Sequence, residues 1–157
     1  MNNVLPKHFR FIDLFAGIGG FHQAMKQVGG KCVYAIEINK ETAKTYIDNY
    51  QLSNVLGDIV NVDVKTIPDH DVLCAGFPCQ PFSKAGKQKG FKDKRGTLFF
   101  NIIDILKDQM TRKYGGVKFL ILENVRNLIS HNKHNKHGHW NYAKSNYLMK
   151  GILFINV

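Results

Sequence analysis

Two short runs in this chain carry residue types able to make and break bonds. Cys79 stands in Gly76-Phe77-Pro78-Cys79-Gln80-Pro81-Phe82-Ser83, directly after the apolar stretch 71–75. A thiol is a natural nucleophile at neutral pH because part of it is already thiolate. Pro78 and Pro81 stiffen the turn, and the glycine permits a close approach. The other cysteines, Cys32 and Cys74, fall within apolar stretches and read as packing residues. Glu123 ends the apolar run 117–122 and is followed by Asn124. A carboxylate in that position can hold or deliver a proton.

A second set of residues suits a nucleoside. The turn Asp13-Leu14-Phe15-Ala16-Gly17-Ile18-Gly19-Gly20 resembles a dinucleotide fingerprint until its last glycine is due, where His22 stands. No Walker lysine follows either, so a pyrophosphate is a poor match. What remains is a glycine turn at a helix start, where a small ligand can lie against the backbone. Glu37 is placed to accept from both ribose hydroxyls, and Asp58 from an adenine amine. Glycine turn and acids together describe a nucleoside cofactor without phosphates, and S-adenosylmethionine fits.

These residues need elements to hold them. Residues 9–15 read as a strand, 21–28 as a helix, 32–36 as a strand and 40–50 as a helix. A weak strand is expected near Val55, stopping at Gly57-Asp58. A strand over 71–75, a helix over 97–110 and a strand over 117–122 follow. Strands apolar on both faces, alternating with helices, imply a Rossmann-like α/β fold with a mostly parallel sheet and helices on both faces. Gly17, Glu37, Asp58, Cys79 and Glu123 are each expected just past the carboxyl end of a strand, the edge where open α/β sheets bind ligands.

Composition narrows the partners. The 157 residues carry 22 Lys+Arg against 12 Asp+Glu, a formal net charge of +10, which favours a polyanion. The surplus is concentrated between Ser83 and Gly96, where Lys84, Lys87, Lys89, Lys92, Lys94 and Arg95 face one acid, Asp93. Interleaved with Gly86, Gly90 and Gly96, this basic loop is suited to close on a phosphate backbone. An odd number of cysteines without Cys-x-x-Cys spacing fits a reducing compartment. No signal peptide and no membrane-spanning run is evident, so the expected location is cytoplasmic.

Three ordered segments then become specific. Phe-Ile-Asp-Leu-Phe-Ala-Gly-Ile-Gly-Gly-Phe from Phe11, the Phe-Pro-Cys-Gln-Pro-Phe-Ser turn around Cys79 and Glu123-Asn124-Val125 resemble signature motifs of the cytosine-C5 DNA methyltransferases of bacterial restriction–modification systems. The resemblance runs from about Phe9 to His131 and includes the Gly86–Phe91 loop and Arg95-Gly96-Thr97-Leu98-Phe99-Phe100. It implies that Cys79 attacks C6 of a flipped-out cytosine while Glu123 contacts N3 and the amine. The methyl group comes from S-adenosylmethionine and is placed on C5. A paired base is out of reach until it leaves the stack. The resemblance further implies a cofactor site lined by Phe15, Gly17, Gly19, Gly20, Glu37, Ile38, Asp58, Ile59, Pro78 and Leu98. Gln80, Ser83, Lys87, Lys89, Arg95 and Asn124 fall on the side of double-stranded DNA.

The departures from the family are equally specific. Its Gln-x-Arg-x-Arg motif is missing, since the last glutamine is Gln109 and Arg126 is the one arginine after Glu123. The expected organisation is therefore a partial catalytic subdomain over 1–130 and an atypical basic, His-rich tail over 131–157, with no target recognition domain. A truncated or split form, completed by a second chain, is the expectation. The alternatives are an inactive fragment that binds cofactor weakly and a tRNA-directed relative. His131, His134, His137 and His139 read as a solvated tail with no metal, because no acid or cysteine supports the cluster.

Overall fold

The structure, a computed structural model, describes residues 7–77, 98–112 and 116–124, and the backbone of 151–156. Within these residues the order is β1 (Phe9–Leu14), α1 (Gly20–Gln27), β2 (Gly30–Ile36), α2 (Lys40–Tyr50), β3 (Val72–Gly76), α3 (Leu98–Thr111), β4 (Phe119–Asn124) and β5 (Gly151–Asn156). The strands form one sheet in the order β2-β1-β3-β4-β5, and every neighbouring pair is parallel. From β1 the chain steps outward to β2 and then returns to β1's other side as β3. That reversal opens a crevice at the carboxyl ends of β1 and β3.

Alternation along β1 shows why both faces are covered. Ile12 and Leu14 belong to the largest core cluster, with Leu73, Ala75, Leu120, Leu122 and the α3 residues Phe99, Ile102 and Leu106. Phe9 and Phe11 point the other way, where Val72, Cys74, Phe21 and Met25 join them. Side chains of a strand alternate between faces, so α3 covers one side and α1 the other. A third cluster places Tyr46 and Ala43 of α2 against Ala35 of β2 and Ala16. Among the described residues, no helix is long and apolar enough to cross a membrane.

Three expectations need correction. The strand near Val55 is reduced to a single parallel bridge between Glu37 and Leu56. Asn54 in a left-handed conformation, φ 63°, interrupts extension before it. Short 3₁₀ turns at Ile59–Asn61 and Val64–Thr66 then carry the chain to β3. The fourth strand starts later than the apolar pattern suggests, at Phe119, with Lys118 N–H donating to the Asp71 carbonyl at 2.7 Å just before it. The strand also ends later, at Asn124, so Glu123 lies within β4 and not beyond it. Gly151–Asn156, in the segment whose structure the sequence leaves open, forms the edge strand β5.

Candidate cofactor site and catalytic edge

The chain leaves β1 through Phe15, whose φ of 57° is left-handed, and reaches Gly17 and Gly19 at φ 54° and 96°. Ala16 N–H donates to the Ile36 carbonyl (3.0 Å), which ties the turn to the end of β2. A Cβ built on Gly17 or Gly20 would meet nothing within 4 Å, so the backbone there is open to a ligand. The turn feeds α1 with no side-chain cap of its own, leaving first-turn amides available.

Glu37 follows β2 and bridges the two helix starts. Its Oε2 accepts from Gly17 N–H at 2.9 Å and its Oε1 from Asn39 N–H at 2.8 Å. Asn39 in turn caps α2, its Oδ1 accepting from Glu41 and Thr42 N–H, both at 3.0 Å. A carboxylate has about four acceptor positions, so both oxygens of Glu37 keep capacity for a diol. Asp58 opens the turn Ile59–Asn61, with Oδ1 accepting from Val60 N–H at 3.0 Å. Ile38 is 67% exposed beside Glu37, whereas Ile59 is buried in the main core and Leu98 packs against it half-buried. Gly17, Glu37, Ile38 and Asp58 thus share the carboxyl edge of β1 and β2, and the open glycine backbone and fixed carboxylate fit S-adenosylmethionine.

On the other side of the crevice, Glu123 pairs in register with Gly76 of β3. Phe77, two residues before Cys79, is buried against Phe99, with ring centroids 6.0 Å apart. Pro78, Cys79, Gln80, Ser83, Lys87, Lys89 and Arg95 lie outside the described residues, as do the histidines of 131–139. Asn124 closes β4.

A buried polar group beneath the turn was not foreseen from sequence. Asp13 is fully buried on the α1 side of β1. Burial pushes its carboxyl up to about 7, against the opposing pull of Tyr46 and the His22 backbone amide. Tyr46 Oη donates to Asp13 Oδ2 at 3.4 Å and lies 2.7 Å from His22 Nδ1. Desolvation, with the Lys26 charge adding to it, holds the His22 imidazole below its ordinary value. Tyr46 and Tyr50 lie one helical turn apart on α2, the one sequence signal that could have found this group.

The geometry can be set beside known proteins. Residues 9–146 match the family of C-5 cytosine-specific DNA methylases. This chain belongs to that family. It is 51% identical over 126 residues to the Type II methyltransferase M.HhaI of Haemophilus parahaemolyticus, covering 80% of this chain and 36% of that protein. With the Type II methyltransferase M.NlaX of Neisseria lactamica it shares 50% identity over 129 residues, 80% of this chain and 39% of the relative. Among solved structures, the Schizosaccharomyces pombe Dnmt2 methyltransferase superposes with a TM-score of 0.60 at 28% identity, covering 76% of this chain and 37% of that one. The Entamoeba histolytica methyltransferase EhMeth, at 21% identity, shares the fold with a TM-score of 0.64, over 80% of this chain and 40% of its own. The chain spans well under half the length of these relatives.

Proposed function

We propose that this chain supplies the cofactor pocket and the nucleophile for methylating C5 of cytosine in double-stranded DNA. The observation that carries the reading is Glu37, whose two oxygens are pinned by Gly17 and Asn39 at 2.9 and 2.8 Å beside an open glycine backbone. S-adenosylmethionine, when bound there, offers an electrophilic methyl group. Glu37 orients the ribose, Asp58 and Ile38 hold the adenine, and Phe15 and Leu98 flank the pocket with Gly19, Gly20, Ile59 and Pro78.

The chain's own residues prepare the acceptor. The Cys79 thiolate adds to C6, forming a carbon–sulfur bond and moving the ring electrons toward C5. Glu123, held to N3 and the amine, stabilises the charge that develops there. After C5 is methylated, with S-adenosylhomocysteine as the leaving group, the C5 proton passes to solvent water and the electrons of that C–H bond expel the Cys79 thiolate. Flipping the base costs a few kcal/mol that protein contacts must offset. Lys87, Lys89 and Arg95 attract the phosphates, a salt-sensitive force without sequence information. Gln80, Ser83 and Asn124 complete the residues proposed to contact DNA.

Tritium transfer from S-adenosylmethionine to DNA tests the reading. The 157 residues alone are expected to bind DNA weakly and transfer no measurable label, because they contain no Gln-x-Arg-x-Arg motif. Supplying a fragment with a Gln-x-Arg-x-Arg motif should give transfer that Cys79→Ser abolishes. Transfer that survives Cys79→Ser, or that prefers tRNA to DNA, sinks it.

A further inference from the structure

Helix α2 grips the glycine turn through a residue that no part of the proposed chemistry uses. Tyr50 Oη donates to the Gly19 carbonyl at 3.0 Å, and the same carbonyl accepts Gln23 N–H, also at 3.0 Å, the first hydrogen bond of α1. The Tyr50 ring stacks on His22, centroids 3.9 Å apart and planes 12° from parallel. It also fills the space a side chain at position 19 would need, since a Cβ there would fall 2.1 Å from Tyr50 Cε2. Tyr46, one turn earlier, holds His22 from the other side at Nδ1. The connections form a closed circuit. Glu37 holds Gly17 and Asn39, Asn39 starts α2, and α2 returns through Tyr50 to Gly19.

We propose that Tyr50 is a positioning residue for the cofactor turn: it locks the Gly19 peptide and the first turn of α1 in the conformation that receives the nucleoside cofactor. The physical basis is cooperation around the circuit. Gly17 and Gly19 lie at positive φ, and glycine loses more backbone freedom on ordering than any other residue. A turn built from glycines drifts unless something outside it fixes its peptides. Glu37 fixes one end, at the ribose position, and Tyr50 fixes the other. Without Tyr50 the Gly19 carbonyl is held by Gln23 N–H alone of these two donors, so the peptide plane swings and the Gln23 hydrogen bond opens more often. The cofactor then has to supply the ordering itself, and binds more weakly. This rests on the reading that S-adenosylmethionine occupies the turn.

Two measurements on the 157-residue chain test it and separate its failure from that of the cofactor reading. The first is amide hydrogen exchange without ligand, comparing wild type with Tyr50→Phe, which keeps the stacked ring and loses the hydroxyl. Exchange at Gly19 and Gln23 is expected to quicken roughly three- to tenfold while Leu73 and Leu120, in the sheet, are unchanged. A purely structural role would quicken all four together. The second is calorimetry with S-adenosylhomocysteine, where Tyr50→Phe is expected to weaken binding by a similar roughly three- to tenfold factor. Unchanged local exchange, or quickened exchange with unchanged affinity, overturns the proposal. A wild-type chain that binds no S-adenosylhomocysteine overturns the cofactor reading, while exchange still decides whether Tyr50 holds the turn.

Discussion

Gly76 and Glu123 face each other across β3 and β4, and a Cβ at position 76 would stand 3.2 Å from Glu123 Oε2 and 3.8 Å from Phe21 Cε2. The glycine of the Gly-Phe-Pro-Cys run thus makes room for the carboxylate proposed to contact the cytosine ring. Gly76→Val places branched atoms in that space and is expected to lower stability by about 1–3 kcal/mol. In a Glu123→Ala background the same change should cost clearly less. Urea unfolding of the four proteins measures the coupling. An equal cost in both backgrounds would show that the carboxylate does not occupy this space.

Asp13 gives stability a definite pH dependence. Burial raises its carboxyl from the ordinary 3.8 to about 7 in the fold, so between about pH 4 and 7 the folded state holds the extra proton. Stability from this group is complete below about pH 4 and is lost as pH rises through 7. His70 works oppositely: burial lowers its imidazole to about 4, so its contribution grows as pH rises from about 4 to 6.5. The two partly cancel in wild type. Asp13→Asn removes one of them and should gain stability relative to wild type by on the order of 2–4 kcal/mol between pH 4.5 and 8. Urea midpoints across that range decide it, and a flat difference counts against a protonated buried Asp13.

Arg112 fastens the end of α3 to the segment leading into β3. It donates to the Ile67 carbonyl at 2.6 Å, the Val64 carbonyl at 3.0 Å and Asp69 Oδ1 at 3.1 Å, and it pairs with Asp108. Arg112→Ala is expected to lower stability by about 2–3 kcal/mol. Arg112→Lys should recover less than half of that, because one ammonium cannot serve donors spread over a planar fork. A lysine variant as stable as wild type would reduce the interaction to simple charge.

What the sequence disclosed follows from how local each signal is. Helix α2 was legible to the residue, since Ala43, Tyr46, Ile47 and Tyr50 recur at helical spacing over 40–50. The positions of Gly17 and Glu37 beyond the carboxyl ends of β1 and β2 were legible because they stand where apolar runs stop. Strand β5 was not, because six residues carry no decisive period and their pairing partner, β4, lies 27 or more residues away. Neither was the grip on the turn. Tyr50 reads as one more apolar position of α2, and its reach to Gly19, 31 residues earlier, exists only in the fold.

The ribose role of Glu37 needs a test that its structural role cannot imitate. Because its carboxylate also holds Gly17 and Asn39, Glu37→Ala will loosen the turn whatever it does to a ligand. A fall in affinity for S-adenosylhomocysteine alone therefore decides nothing. Comparing two ligands does, since loosening the turn weakens both alike. Wild type is expected to prefer S-adenosylhomocysteine over its 2′-deoxyribose analogue by roughly 10–100-fold, the worth of one hydrogen bond to a charged acceptor. In Glu37→Ala both ligands should bind more weakly, and the preference should shrink to about twofold or less, because no carboxylate remains to distinguish the hydroxyl. Calorimetry with two proteins and two ligands gives the four constants required. A preference that persists in Glu37→Ala would move ribose recognition to another group, leaving Glu37 as the brace that joins the glycine turn to the start of α2.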